Sequence, residues 1–209
     1  MRVKICGVTR PDDAALALKL GADAIGCVFY PGSPRAVTVA TALEVASRLG
    51  DEAELVGLFV NPSVREVLEV LERVPLHCLQ FHGAEPPQFC GQFKKPYIKA
   101  VPMQADTDLA AVNLEYEGAQ ALLLDSVHEG RFGGSGAQFD WDWVDATLRR
   151  RIILAGGLRP DNVASAIRQV QPVAVDVSSG VEQEKGIKDP DKMAEFISAA
   201  LGAFEEVTS

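Results

Sequence analysis

Short apolar runs rich in β-branched and aliphatic residues recur along the chain, beginning near Val3, Ala24, Leu55, His77, Tyr97, Ala121, Ile152 and Val173. Their starts are 21, 31, 22, 20, 24, 31 and 21 residues apart. Between most of them the apolar positions change to the helical period of 3.6. Val64, Val67, Leu68 and Leu71 follow a Ser63-x-x-Glu66 capping box. Val163, Ala166, Ile167 and Val170 follow Pro160, and Met193, Phe196, Ile197 and Ala200 follow Pro190, residues suited to a first helical turn. The patterns after Pro102 and Trp141 are less regular. Strands separated by helices pair in parallel through right-handed crossovers. Eight such units without a Pro-, Gly- or Ser-rich linker predict one α/β domain over 1–209, a (β/α)8 TIM barrel with short loops. An open doubly wound sheet shares the pattern. A leucine-rich repeat shares the period, but its L-x-x-L-x-L signature is absent.

The two 31-residue intervals carry their surplus between strand and helix, at Tyr30–Thr38 and Ser126–Asp140. In a barrel these are loops of the C-terminal face, where active sites are built. Composition narrows what that face can bind. The 209 residues hold 20 Lys and Arg against 29 Asp and Glu, a net charge of −9. A nucleic-acid partner is not expected, because neutralising phosphates takes a basic surplus. A membrane partner is not expected either, since no apolar run reaches the roughly 18 residues of a span. The N-terminal MRVKICGVTRPDD lacks the apolar core of a signal peptide. Cys6, Cys27, Cys78 and Cys90 form no CxxC pair, so reduced thiols in the cytoplasm are expected and no metal site is predicted.

Strand ends are where a barrel displays its chemistry. The first strand ends in Lys4-Ile5-Cys6-Gly7 and the sixth in Leu124-Asp125, so a thiol and a carboxyl group can face each other across the mouth. Such a pair can take one proton and give another. Packing is the competing reading for Cys6 and the reading taken for Cys27, Cys78 and Cys90, and helix capping is the competing reading for Asp125. His82 ends the fourth strand, where it meets a ligand or hydrogen-bonds the backbone. After the seventh strand comes Ala155-Gly156-Gly157, and after the eighth Asp176-Val177-Ser178-Ser179-Gly180. Glycines at these two positions expose backbone N–H groups to a phosphate, at the usual barrel phosphate site. Arg35, in the first long loop, can fork onto a carboxylate or phosphate. Gly130, Gly133, Gly134, Ser135 and Gly136, in the second, suggest a lid. Lys4, two residues before Cys6 on the same strand face, either lends the thiol positive potential or pairs with Asp176.

These segments together resemble the phosphoribosylanthranilate isomerase family over nearly the whole chain: KICGVT, SPR, GLFVN, QFHG, LLLDS, GGSGAQFDW, LAGGLRPDNV, VDVSSGVE and GIKD occur in order. The resemblance implies an Amadori rearrangement of a phosphorylated aminoaldose in tryptophan biosynthesis. It implies Cys6 as general base and Asp125 as general acid. Arg35 would hold the anthranilate end, and Gly156, Gly157, Ser178, Ser179 and Gly180 the phosphate, with His82 and Asp176 also at the substrate. Phe81 stands where the family often has Leu and Ser135 where it often has Thr, while a Pro common before the last Gly-x-Lys-Asp is replaced by Lys185. The chemistry needs no cofactor, because the iminium formed on ring opening is its own electron sink. A monomer is expected over a dimer. A metal-dependent epimerase is disfavoured because His77, His82 and His128 do not fall on successive strands with acidic partners. An indole-forming synthase would bring a strand-borne catalytic Lys and a longer N-terminus. A non-catalytic phosphate-binding regulator would have no use for a facing Cys6 and Asp125.

Overall fold

The computed structural model describes residues 1–126 and 138–208. Eight strands close into a barrel in chain order, every neighbouring pair parallel: Val3–Cys6 (β1), Ala24–Val28 (β2), Glu54–Phe59 (β3), Cys78–Phe81 (β4), Tyr97–Met103 (β5), Ala121–Ser126 (β6), Ile152–Leu154 (β7) and Ala174–Val177 (β8). This is the predicted (β/α)8 barrel. Around it lie Pro11–Leu20 (α1), Val39–Leu49 (α2), Val64–Leu71 (α3), Pro87–Gly91 (α4), Leu109–Glu115 (α5), Val163–Val170 (α6) and Pro190–Thr208 (α7).

The barrel separates its residues by strand alternation. Val3 and Ile5, Leu122 and Leu124, and Val175 and Val177 point outward into the layer shared with the helices. Their neighbours in sequence therefore point inward. Low in the barrel these are small or aliphatic, among them Ala24, Val56, Ile98, Leu123, Ile153 and Ala174. Towards the C-terminal ends Lys4, Gln80, Asp125 and Asp176 stand beside an apolar cluster of Cys6, Val28, Leu58 and Val60. A barrel core that carries charge at one end is built to present that end to a ligand.

Three local departures from expectation bear on the site. In α3 the capping box of Ser63 and Glu66 forms as predicted, but the helix buries Val67 and Val70 and leaves Val64 and Leu68 exposed. The buried positions start one turn later, at Val67 and Val70, with Leu71 partly buried beside them. The sixth unit carries two 3-10 turns, Trp141–Trp143 and Ala146–Arg151, started by the side chains of Asp140 and Asp145. The third departure is a small hairpin after β8, Glu182–Glu184 (β9) and Ile187–Lys188 (β10), which turns at Gly186 and brings two charged residues back over the mouth.

Candidate active site at the barrel mouth

Cys6, Arg35, Gln80, His82, Asp125, Asp176 and Ser178 line one cavity, together with Tyr30 and the apolar side chains of Val28, Leu58 and Val60. A second cavity opens from it, lined by Gly156, Gly157, Ser178, Ser179 and Gly180 and sharing Asp125, Asp176 and Ser178 with the first. Every site residue anticipated from sequence faces this pair of cavities. The suggested lid, Gly130 to Gly136, lies outside the described residues, as does His128.

Cys6 closes β1 and is 5% exposed. Burial pushes its thiol up from the ordinary value, and the Lys4 charge beside it pulls the other way. Of the two effects burial is the larger, so the thiol stands above its ordinary value. Burial also pushes Cys27 and Cys78 up to about 12 and Cys90 to about 11. Lys4 is fully buried and its Nζ donates to Asp176 Oδ1 at 2.7 Å. Burial alone would lower the Lys4 ammonium, but Asp176 and Cys6 hold it above its ordinary value.

Among the described residues no helix starts at Asp125. One oxygen accepts the Ser126 N–H at 2.8 Å, and the other lies 3.1 Å from His82 Nε2. The His82 ring is held from behind by Gln80, whose Nε2 donates to Nδ1 at 2.9 Å. That assignment leaves the proton on Nε2, aimed at Asp125. His82 is thus a partner of Asp125 as well as part of the cavity wall.

Gly156 has φ +75°, and a Cβ there would stand 2.6 Å from the Ser126 nitrogen. A Cβ on Gly180 would run into the Leu158 carbonyl oxygen. The two glycine loops are packed against each other and against the end of β6, so only bare backbone fits. Helix α6 begins at Val163 rather than at Pro160, because Asn162 first accepts the Arg159 N–H and donates to Gly157 O. The short 3-10 turn Ser179–Val181 follows β8 directly and supplies a helix start beside the cavity.

Arg35 makes the fork expected of it, but with this chain's own Glu182: Nε and Nη2 each meet a carboxylate oxygen at 2.7 Å. Lys188 Nζ reaches the same carboxylate at 3.1 Å and Ser178 O at 3.0 Å. Burial would raise Glu182, yet Arg35 and Lys188 hold it below the usual glutamate range. Sequence reasoning missed Glu182, Lys188 and Gln80. The available signal was their place inside VDVSSGVE, GIKD and QFHG, where a charged or amide residue ends a strand or follows a glycine turn.

The family model for N-(5'phosphoribosyl)anthranilate (PRA) isomerase matches residues 3–199. A Pseudomonas fluorescens protein named N-(5'-phosphoribosyl)anthranilate isomerase is 53% identical over 207 residues, covering 99% of each chain. Among solved structures, a phosphoribosyl anthranilate isomerase in complex with reduced 1-(o-carboxyphenylamino)-1-deoxyribulose 5-phosphate superposes with a TM-score of 0.86 at 39% identity, covering 97% of this chain and 99% of that one. A structure of monomers generated from the dimeric Thermotoga maritima enzyme has a TM-score of 0.84 at 38% identity, again with 97% and 99% covered.

Proposed function

This chain belongs to the N-(5'-phosphoribosyl)anthranilate isomerase family, an isomerase of tryptophan biosynthesis, and we propose that it acts with Cys6 as general base and Asp125 as general acid. The reaction converts N-(5-phosphoribosyl)anthranilate into 1-(2-carboxyphenylamino)-1-deoxyribulose 5-phosphate. The carrying observation is that Cys6 and Asp125 line one cavity that continues into the glycine cradle.

In this reading Asp125 gives its proton to the ribose ring oxygen as the C1′–O bond breaks and the anthranilate nitrogen lone pair forms the iminium. The Cys6 thiolate then removes the C2′ proton, and the electron pair moves into the C1′–C2′ bond, neutralising the iminium to an enolamine. Tautomerisation completes the cycle: the enol O–H proton returns to Asp125, and C1′ takes the proton that Cys6 holds. Atoms and charge balance without metal or organic cofactor. The phosphate is read as bound by backbone N–H groups of the Gly156–Gly157 and Ser178–Gly180 segments, where the net charge of −9 does not prevent anion binding. Arg35, with Nε and Nη2 on Glu182, offers its remaining edge to the anthranilate carboxylate.

We read residues 1–209 as one catalytic domain working as a cytoplasmic monomer. No helix among the described residues is long and apolar enough to cross a membrane. Their exposed large apolar side chains, such as Leu114, Val173 and Leu68, are scattered through the sequence on different elements. Following the loss of the substrate's anthranilate fluorescence with purified protein tests the activity. Turnover after exhaustive dialysis against chelator is expected; substrate left unconverted contradicts it.

A further inference from the structure

Cys6 lies among charges that pull in opposite directions. The register of the barrel sets Lys4 of β1 level with Asp176 of β8, and Cys6 level with Gly26 of β2. A Cβ on Gly26 would stand 2.8 Å from Cys6 Sγ and 3.2 Å from Lys4 Nζ. Sulfur and ammonium therefore converge over the space that a side chain would fill, within about 6 Å of each other. Gly26 lies within β2 and has no positive φ, so the missing side chain rather than backbone freedom is what this position uses.

We propose that Lys4 is a positioning residue for the base: its ammonium, seated on Asp176 and meeting Sγ over Gly26, supplies the positive potential that lets Cys6 ionise, and Asp176 limits how much of it the thiol feels. The inference rests on the reading of Cys6 as base. Ionisation sends the Sγ proton to water, and Lys4 keeps its own. The other groups facing Cys6 come from every element packed around it. Cys27 lies on the neighbouring strand. Lys188 of β10 pulls the same way as Lys4, but Glu182 and Ser178 engage its ammonium. Arg35 reaches over from the loop after β2, tied to Glu182. Asp125 and His82 occupy the same cavity and are bonded to each other. After burial, Lys4 is the largest influence on the thiol, followed by Asp176 acting against it.

The test is the pH dependence of Cys6 alkylation by iodoacetamide in the free protein, read by peptide mapping so that the other three cysteines are scored separately. Lys4→Met should raise the midpoint by about one pH unit or more, slowing alkylation at pH 8 about tenfold. Asp176→Asn should lower it. Both variants break the same buried pair, so a purely structural role moves both midpoints the same way or neither. Either of those results overturns the inference. If Lys4→Met does not fold, Asp176→Asn alone decides: a lowered midpoint supports the inference, and an unchanged or raised one sinks it. Turnover is not the readout. A Cys6→Ser variant that keeps its rate removes the base reading and leaves this titration to stand or fall by itself.

Discussion

His82 Nε2 lies 3.1 Å from Asp125 Oδ2, while the other oxygen of that carboxyl group accepts the Ser126 amide at 2.8 Å. The Asp125 carboxyl group is thereby fixed on both sides, with Gln80 fixing the ring that fixes it. His82→Ala should lower kcat by roughly 10²-fold through misorientation of Asp125, with KM changed only a few-fold. Steady-state kinetics separate the possibilities. A large rise in KM at unchanged kcat would make His82 a binding residue only.

Glu182 joins Arg35 and Lys188 in one buried cluster. Its carboxyl group is held below its ordinary value, so its stabilisation is complete above the unfolded glutamate pKa of about 4.3 and is lost as pH falls through the lower folded value. Glu182→Gln leaves two buried cations without their counter-charge and should cost about 3 kcal/mol at pH 7. Urea unfolding at pH 7 and at about pH 3 measures this. The gap between variant and wild type should narrow at the lower pH; a constant gap would mean that charge is not what Glu182 contributes.

The two glycine loops make a different demand. Gly180→Ala places a methyl group against the Leu158 carbonyl and forces the two loops apart. Weaker substrate binding is expected, with KM rising at least about tenfold, more than kcat falls. Competition by inorganic phosphate should weaken in parallel. Undiminished phosphate inhibition in the variant would put the anchor elsewhere.

How much of this was legible in sequence depends on what each residue's role is set by. The end of β1 was legible, because an apolar run that stops at Cys6 identifies its own last residue, while β6 runs one residue past Asp125 to Ser126. The glycine loops were legible because their order after β7 and β8 names their location. The face of α3 was one turn off, since periodicity gives the spacing of Val67, Val70 and Val74 but not where the helix first meets the sheet. Glu182 and Lys188 were legible only as members of VDVSSGVE and GIKD. Their importance comes from a hairpin that folds back over Arg35, more than a hundred residues away, and no local pattern encodes that meeting.

Arg35→Ala removes the group read as holding the anthranilate carboxylate. The loss in kcat/KM should be large for the carboxylated substrate and small for an aniline analogue lacking that group. Equal losses on both would show that Arg35 serves only to hold Glu182.

The central claim is that Cys6 and Asp125 move the protons, and the most direct measurement is kcat for Cys6→Ser and Asp125→Asn by anthranilate fluorescence, with folding checked by circular dichroism. Each variant should fold normally and turn over at least about 10²-fold more slowly. A well-folded variant of either residue that keeps near wild-type kcat would contradict the account.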